Sequence, residues 1–145
     1  MTVYEKKGWY RLEIPDGWEV DEDEAPAAIY HPDGAGALQV TAETPRPLPP
    51  NGKIDVFLML RAFLKQTGVD FDETLATRSF DKGLDRAYYE YAADSPDEGP
   101  VLWRSWMVTN HDIVVFLTYA CREEDADLER VAIDAIVASL RPVGD

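Results

Sequence analysis

The residues best suited to chemistry in this sequence are two histidines, one cysteine and an excess of carboxylates. His31, His111 and Cys121 could ligate zinc, but zinc sites generally use closely spaced pairs such as C-x-x-C or H-x-x-x-H. The chain contains no such pair. The run DEDE at residues 21–24 lacks the central glycine and the spaced oxygen ligands of an EF-hand loop. We therefore expect no bound metal.

The sequence also lacks a pattern typical of an enzyme. There is no G-x-S-x-G motif, and Cys121 has no histidine near it in the sequence. Carboxylate pairs could be drawn from Asp70, Asp72, Glu73 and Glu90, but among 28 acidic residues such pairs arise by chance. The nine glycines are scattered, so no glycine-rich phosphate loop is present. We expect a protein that is not an enzyme and uses no cofactor.

Aromatic residues give the strongest indication of a functional surface. Six of them lie on three successive predicted strands: Tyr88, Tyr89, Tyr91, Trp103, Trp106 and Tyr119. Because side chains alternate between the faces of a strand, Tyr88 should share a face with Arg86 and Glu90, and Trp103 should point away from Trp106. These rings could fill the core on both faces, or some could line a groove for an apolar segment of a partner. The candidate surface for a partner or ligand is Arg86, Tyr88, Glu90, Trp103, Arg104 and Trp106.

Charge and composition exclude several classes of partner. The 145 residues carry 28 acidic and 14 basic side chains, a formal net charge of −14 at pH 7. Such a chain should not bind nucleic acid or anionic lipid surfaces, and it should favour basic protein partners in a salt-sensitive way. The longest apolar stretch is far shorter than the ~20 residues of a membrane span. We expect no membrane insertion.

The start of the chain and its cysteine content favour the cytoplasm. The opening residues have no apolar run of the kind found in secretory signals, although a processed mature protein would look the same. Cys121 is the only cysteine, so no internal disulfide can form and a reducing compartment is compatible with the sequence. The composition and length predict one globular domain over residues 1–145.

The elements that must position these side chains follow from turn residues and hydrophobic periodicity. Four prolines between residues 44 and 52 predict a semi-extended connector. A helix should follow this connector and end at Gly68. Strands are predicted at residues 10–14, 18–20, 27–31, 37–43, 74–80, 84–93, 101–110 and 113–121, and helices at 54–67 and 125–140.

Three of these elements carry specific expectations. The strand at 113–121 is apolar on both faces, which predicts a central position in the sheet. The apolar arc of the first helix is wide, which predicts that this helix is buried deeply. The last helix should be capped by Asp125, with a buried stripe. That predicted stripe is Leu128, Val131, Ala132, Ala135, Ile136 and Leu140.

Together these elements predict an α+β fold in the order β-β-β-β-α-β-β-β-β-α. A central antiparallel sheet of about six to seven strands would lie between two main helices, giving three layers, α/β/α. Strand order in the sheet is left open, because hairpins alone do not determine it.

Three sequence segments, together with this order of elements, resemble a known group. They are YRLEIPDGW at residues 10–18, VVFLTY at 114–119 and IVASL at 136–140. Their order is similar to that of the PsbP-like fold, which also includes DcrB-like bacterial proteins, the eukaryotic Ran-release factor and the Eag chaperones of type VI secretion. The resemblance implies an α/β/α domain without shared catalytic machinery, used in protein binding or assembly. It transfers no functional residue, and the absence of a lipobox cysteine disfavours the envelope lipoproteins.

The sequence therefore predicts a non-enzymatic protein-binding or adaptor domain, cytoplasmic and bacterial in character. Two alternatives stay open: a specialised secretion-type chaperone for apolar segments, and a small-ligand-binding protein. The partner should be another protein, and its identity is not given by the sequence. A homodimer is open as well, if an edge strand or an aromatic patch is left uncovered.

Overall fold

The structure, a computed structural model, describes residues 2–23, 26–44, 55–97 and 99–143. Within these ranges the chain forms ten strands and two α-helices. The strands are β1 (Thr2–Lys6), β2 (Tyr10–Ile14), β3 (Glu19–Asp21), β4 (Ala27–Tyr30), β5 (Ala37–Glu43), β6 (Thr77–Asp81), β7 (Leu84–Ser95), β8 (Gly99–Thr109), β9 (Val114–Arg122) and β10 (Arg141–Pro142), and the helices are α1 (Val56–Gln66) and α2 (Arg130–Ser139).

Seven strands form one large antiparallel sheet in the order β3-β4-β5-β9-β8-β7-β6, and β1-β2-β10 form a smaller antiparallel sheet. Strand β9 is fourth of seven, so the prediction of a central position is confirmed. The reason is that β9 has buried side chains on both of its faces, so both faces must be covered by other elements.

The two faces of the large sheet are covered by different elements. On one face, α1 packs on Ala87, Tyr89, Met107, Val114 and Phe116. On the other face, α2 and the small sheet share one larger hydrophobic cluster with the large sheet; it includes Tyr10, Leu12, Val115, Leu117, Ile133 and Ile136. The α+β class, the two main helices and the three-layer arrangement are therefore confirmed.

Five strands precede α1, one more than the four predicted. The additional strand is β1, which pairs with β2. Most side chains of β1 are exposed, so its sequence carries no alternation of buried and exposed residues by which it could be recognised. The predicted connector at residues 45–52 and Ile54 lie outside the described residues.

Helix α1 is capped as its sequence suggests. The Asp55 carboxylate accepts hydrogen bonds from the backbone N–H groups of Phe57 and Leu58, at 3.0 and 3.2 Å. Gly68 follows the helix with a φ of +83°, the left-handed conformation that favours glycine. The expectation of deep burial is wrong, however, because only Val56, Leu60 and Leu64 are buried and Leu58 is 61% exposed.

The predicted start and buried stripe of α2 are also partly wrong. Asp125 lies in a 3-10 turn, and the helix begins at Arg130. As a result Leu128 and Val131 are 72% and 84% exposed. The side chains that do face the core are Ile133, Ile136, Val137 and Leu140. Within the described ranges, neither helix is long and apolar enough to cross a membrane.

The corrected orientation of α2 can be tested with a matched pair of substitutions. Ile136→Ala removes a fully buried side chain and should lower the free energy of unfolding by about 2 to 4 kcal/mol, because it loses transfer free energy and leaves a cavity. Val131→Ala, in the same helix, should change it by less than about 0.5 kcal/mol. Urea unfolding followed by circular dichroism measures both, and equal losses would contradict the described orientation.

Candidate functional site

The six residues of the predicted surface lie on two different faces of the large sheet. Tyr88 pairs with Trp106 and Glu90 pairs with Arg104 across β7 and β8, and with Arg86 they form one group on the α2 side. Trp103 lies on the α1 side, opposite Tyr91. The structure thus brings five of the six onto one face and separates the sixth. Their role in binding stays a prediction.

Arg104 is the centre of the group on the α2 side and is only 3% exposed. Its Nε donates to the Tyr88 hydroxyl at 2.7 Å, and that hydroxyl donates to Glu90 Oε1 at 2.6 Å. Its Nη2 forms an ion pair with Asp134 on α2. The guanidinium also lies over two rings, 4.6 Å from the Trp106 centroid and 5.2 Å from that of Tyr88.

A second arginine on α2 completes the connection. Arg130 Nη1 donates to Glu90 Oε1 at 3.1 Å, so that Glu90 on β7 is held by cations from both β8 and α2. Because Trp106 is only 7% exposed, this cluster does not form an open groove. Its evident structural role is to fix α2 against β7 and β8.

Burial and hydrogen bonding oppose each other at Glu90. Burial raises the pKa of Glu90, but hydrogen bonds from Tyr88 and Arg130, together with the charges of Arg130 and Arg104, outweigh burial and hold the pKa below its ordinary value. At Tyr88, burial is the largest effect and raises the pKa of the phenol. At neutral pH the cluster therefore contains an ionised Glu90 and a protonated Tyr88.

On the other face, α1 and the other described residues leave one end of the sheet uncovered. The helix packs on the residues where β7 and β9 begin and β8 ends. At the opposite end the rings of Tyr91 and Trp103 stack, with centroids 6.3 Å apart and an interplanar angle of 8°, and both are half-buried. On β5, Gln39 and Thr41 point to this face and are exposed. We call this uncovered part of the sheet the open end.

An open cavity of about 770 Å³ lies at the open end. On the α1 side its apolar lining is Ala93, Val101, Trp103 and Ala120, and it extends around the end of the sheet to Ala35, Pro96 and Cys121. Its charged lining comes from Asp94, Arg122 and Asp125. An adjacent cavity of about 570 Å³ is lined by Pro100, Arg122, Glu123 and Glu124. The open end therefore combines an aromatic and aliphatic floor with a mainly acidic rim.

Glu129 is buried and holds Ala35, which lines the cavity of about 770 Å³. Its Oε1 accepts hydrogen bonds from the backbone N–H groups of Ala35 and Gly36, both at 3.0 Å, and from the Tyr119 hydroxyl at 2.7 Å. Burial, followed by the hydrogen bond to Glu129, raises the pKa of Tyr119. The carboxylate thus ties the turn between β4 and β5 to β9 and to the start of α2.

Gly36 allows the turn to approach β9 this closely. A Cβ atom at this position would lie 2.2 Å from the Ala120 carbonyl oxygen and 3.0 Å from the Tyr119 ring. No side chain fits such a gap without movement of the backbone.

The residues considered for metal binding or nucleophilic chemistry lie apart. His31 Nδ1 accepts from the Asp33 backbone N–H at 3.0 Å, which fixes the imidazole in a turn. Cys121 is buried, and burial raises the pKa of its thiol. His111 has a φ of +74° in the turn before β9. Over residues 2–23, 26–44, 55–97 and 99–143, no group of three or more His, Cys, Asp or Glu residues is arranged to hold a metal.

Comparison with known proteins identifies the architecture. A search of protein-family models and a search of curated proteins found no match. Cyanobacterial PsbP (CyanoP) from Synechocystis sp. PCC 6803 aligns with 98% of this chain and 92% of its own, with a TM-score of 0.64 and 16% sequence identity. This chain has a PsbP-like fold. The resemblance inferred from the sequence is thus confirmed at the level of fold.

Two further structures support the PsbP-like assignment. LpqN, involved in cell envelope biogenesis of Mycobacterium tuberculosis, aligns with 92% of this chain and 83% of its own, at 10% identity and a TM-score of 0.64. A protein from Bacteroides thetaiotaomicron VPI-5482 aligns with 94% of this chain at 16% identity and a TM-score of 0.62, and this chain spans 46% of that protein.

Several residues important to these sites were not predicted from the sequence. Glu129, Arg130 and Asp134 were missed. The start of the helix was predicted at Asp125, so the sequence did not show which side chains of the helix face the sheet. The sequence could have indicated Arg130 and Asp134, because residues four apart lie on one face of a helix and can there pair with charges on a neighbouring element.

The Arg104 cluster predicts a specific pH dependence. Because the folded pKa of Glu90 is lowered, its contribution to stability should be present above the ordinary glutamate pKa of about 4.3 and lost as pH falls through the lower folded value. Glu90→Gln should cost about 1 kcal/mol at neutral pH, a small value because Glu90 is partly exposed, and should weaken this acid dependence. Urea unfolding at several pH values measures it. Glu124→Gln, at an exposed site, serves as the control, and an acid dependence that Glu90→Gln leaves unchanged would contradict the argument.

Glu129 gives a second prediction. Glu129→Ala removes the common acceptor of two backbone N–H groups and a phenol, and should lower the free energy of unfolding by about 3 kcal/mol. Glu129→Gln keeps an acceptor oxygen and should cost less. Tyr119→Phe removes one donor and should cost about 1 kcal/mol. A double-mutant cycle between Glu129→Ala and Tyr119→Phe should show coupling, and strict additivity would argue against a shared hydrogen-bond group.

Proposed function

We propose that this chain is a non-enzymatic protein-binding domain that holds a short segment of a partner at the open end of the sheet. The observation that carries the proposal is the cavity of about 770 Å³ beside Trp103, which α1 leaves uncovered. A half-buried tryptophan in an open apolar recess is the type of side chain that dominates protein interfaces. The PsbP-like fold, which CyanoP and LpqN share, is consistent with the non-enzymatic protein-binding role that the sequence resemblance implies.

The charges of the rim select a basic partner. Asp94 and Asp125 line the cavity, and Glu123 and Glu124 line its neighbour. Among the described residues that line these two cavities, Arg122 is the one basic residue. Arg122 is itself 3.8 Å from Glu124, so part of its charge is offset. With a net charge of −14 for the whole chain, long-range attraction favours a cationic segment. We infer an apolar or aromatic side chain flanked by lysines or arginines.

We assign this role to the cytoplasm as part of the same proposal, since a single reduced thiol suits that compartment. The small-ligand alternative is favoured by the cavity volume, which lies within the range of about 300 to 1,000 Å³ usual for ligand sites. Its open shape and acidic rim fit a peptide better than an enclosed small molecule.

Defined peptides test the proposal. A peptide with a central phenylalanine flanked by lysines should quench or shift tryptophan fluorescence and bind more weakly as salt rises, because the attraction is screened. A peptide with alanine at the centre, and one with glutamates as flanks, should bind much less. Trp103→Ala should weaken binding by about 30-fold, as expected for an interface residue worth about 2 kcal/mol.

Trp9→Ala provides the matched control, since Trp9 is also half-buried but lines a different cavity. It should bind the lysine-flanked peptide as the unmodified protein does. Equal binding by Trp103→Ala and the unmodified protein would contradict the proposed site. A small-molecule screen with hits at Trp103 and no peptide binding would favour the ligand alternative. Light scattering should be measured in parallel, because a dimer that covers Trp103 would also overturn the proposal.

A further inference from the structure

Another cavity, of about 220 Å³, lies on the α2 side at the edge of the large sheet. Strand β6 supplies Thr77 and Ser79, which pair with Tyr88 and Arg86 on β7. The last part of α2 closes the other side with Val137 and Ala138. This cavity is separate from the open end, which lies on the α1 side.

Arg86 is the notable lining residue because the ion pairs of the described residues do not include it. Its Nε is buried and makes no hydrogen bond within the described residues. Five other arginines of the described chain have acidic partners, in the pairs Arg61–Glu73, Arg78–Asp85, Arg104–Asp134, Arg122–Glu124 and Arg130–Glu90. Arg141, which is also half-buried, donates instead to backbone carbonyl oxygens. Arg86 differs from these six because its buried Nε makes no hydrogen bond within the described residues.

The surroundings of Arg86 compensate its charge only in part. Burial lowers the pKa of Arg86 and the charge of Arg141 lowers it further, while Asp81 acts in the opposite direction. Asp134 also lines the cavity, but it is paired with Arg104. A buried guanidinium donor without an acceptor has a free-energy cost that a bound acceptor would remove.

The end of α2 would normally oppose an anion here, because a helix C-terminus carries partial negative charge. In this structure Arg141 covers that end: its Nη1 donates to the carbonyl oxygens of Ala138 at 3.1 Å and Leu140 at 2.6 Å. The carbonyls nearest the cavity are therefore compensated by a cation. The hydroxyls of Thr77 and Ser79 add two further donors at its rim.

We propose that this cavity binds an oxyanion, with Arg86 as the principal donor and Thr77 and Ser79 as supporting donors. A planar guanidinium matches the oxygens of a carboxylate or phosphate in a bidentate manner. A volume of about 220 Å³ equals that of about seven water molecules at ~30 Å³ each, which suits one such group on a short stem. The group belongs either to a free small acid or to an acidic side chain of a partner, and both present the same chemistry to Arg86.

The test observes the Arg86 Nε–H directly. The ¹⁵N-labelled full chain is titrated with sodium phosphate, with sodium acetate and with a short glutamate-containing peptide, each against sodium chloride at equal ionic strength. The Arg86 Nε–H signal, assigned by its loss in Arg86→Lys, should shift with saturation, and the melting temperature should rise. Response to phosphate or acetate indicates a free small acid; response to the peptide alone indicates a partner side chain.

Substitutions separate this site from general salt effects. In Arg86→Lys, about tenfold more anion should be needed for the same rise in melting temperature, because lysine cannot form the bidentate contact. Arg86→Met should melt higher than the unmodified protein without added anion, since an unpaired charge is removed, and should show no anion response. Arg61→Met, on α1, changes the net charge by the same amount and should respond normally.

If Arg86→Met does not fold, Ser79→Ala, at an exposed site, should still weaken the response. An Arg86 signal unmoved by all three probes, or an equal response in Arg86→Met, would overturn the proposal.

Discussion

The arrangement of this protein depends on the burial of β9 on both of its faces. Val115 and Leu117 face the cluster shared with α2 and the small sheet, and Val114 and Phe116 face α1. Because these apolar side chains are stable only when they are removed from water, other elements must cover each face of the sheet. The side with α2 is covered by a helix and by the β1-β2-β10 sheet. Among the described residues, the side with α1 is covered by the eleven-residue helix and by Val69, Phe71 and Ala76 after it. This cover does not reach the end of the sheet at Trp103, which is the open end.

Charged residues have different roles on the two sides of the large sheet. On the α2 side, Arg104, Glu90, Arg130 and Asp134 connect the helix to the sheet through hydrogen bonds that only one docking position of α2 can make. On the open side, carboxylates surround an apolar floor and have few cations near them. The same acidic composition thus contributes to a defined interior contact in one place and to an attractive surface for cations in another.

The sequence predicted what hydrophobic periodicity can reveal and missed what depends on tertiary contacts. The central place of β9 followed from its apolar pattern, and the end of α1 followed from Gly68. The start of α2 was placed too early because Asp125 is a good capping residue by type, whereas the chain first forms a 3-10 turn there. No sequence pattern indicated that Arg104 would be buried against two rings, or that α1 would stop short of Trp103, since both depend on how separate elements dock. The oxyanion cavity could not be foreseen either, because an unpaired arginine is recognised only when its surroundings are known.

The strand order also has a consequence for folding. Leu38 on β5 pairs with Tyr119 on β9, so the middle of the sheet joins segments that are far apart in the chain. Such distant pairing makes folding slow relative to helical proteins. During synthesis from the N-terminus, β5 would have a free edge until β9 emerges from the ribosome, and a free edge invites association with other chains. The net charge of −14 provides mutual repulsion during that interval, which gives the acidic composition a value before the native structure exists.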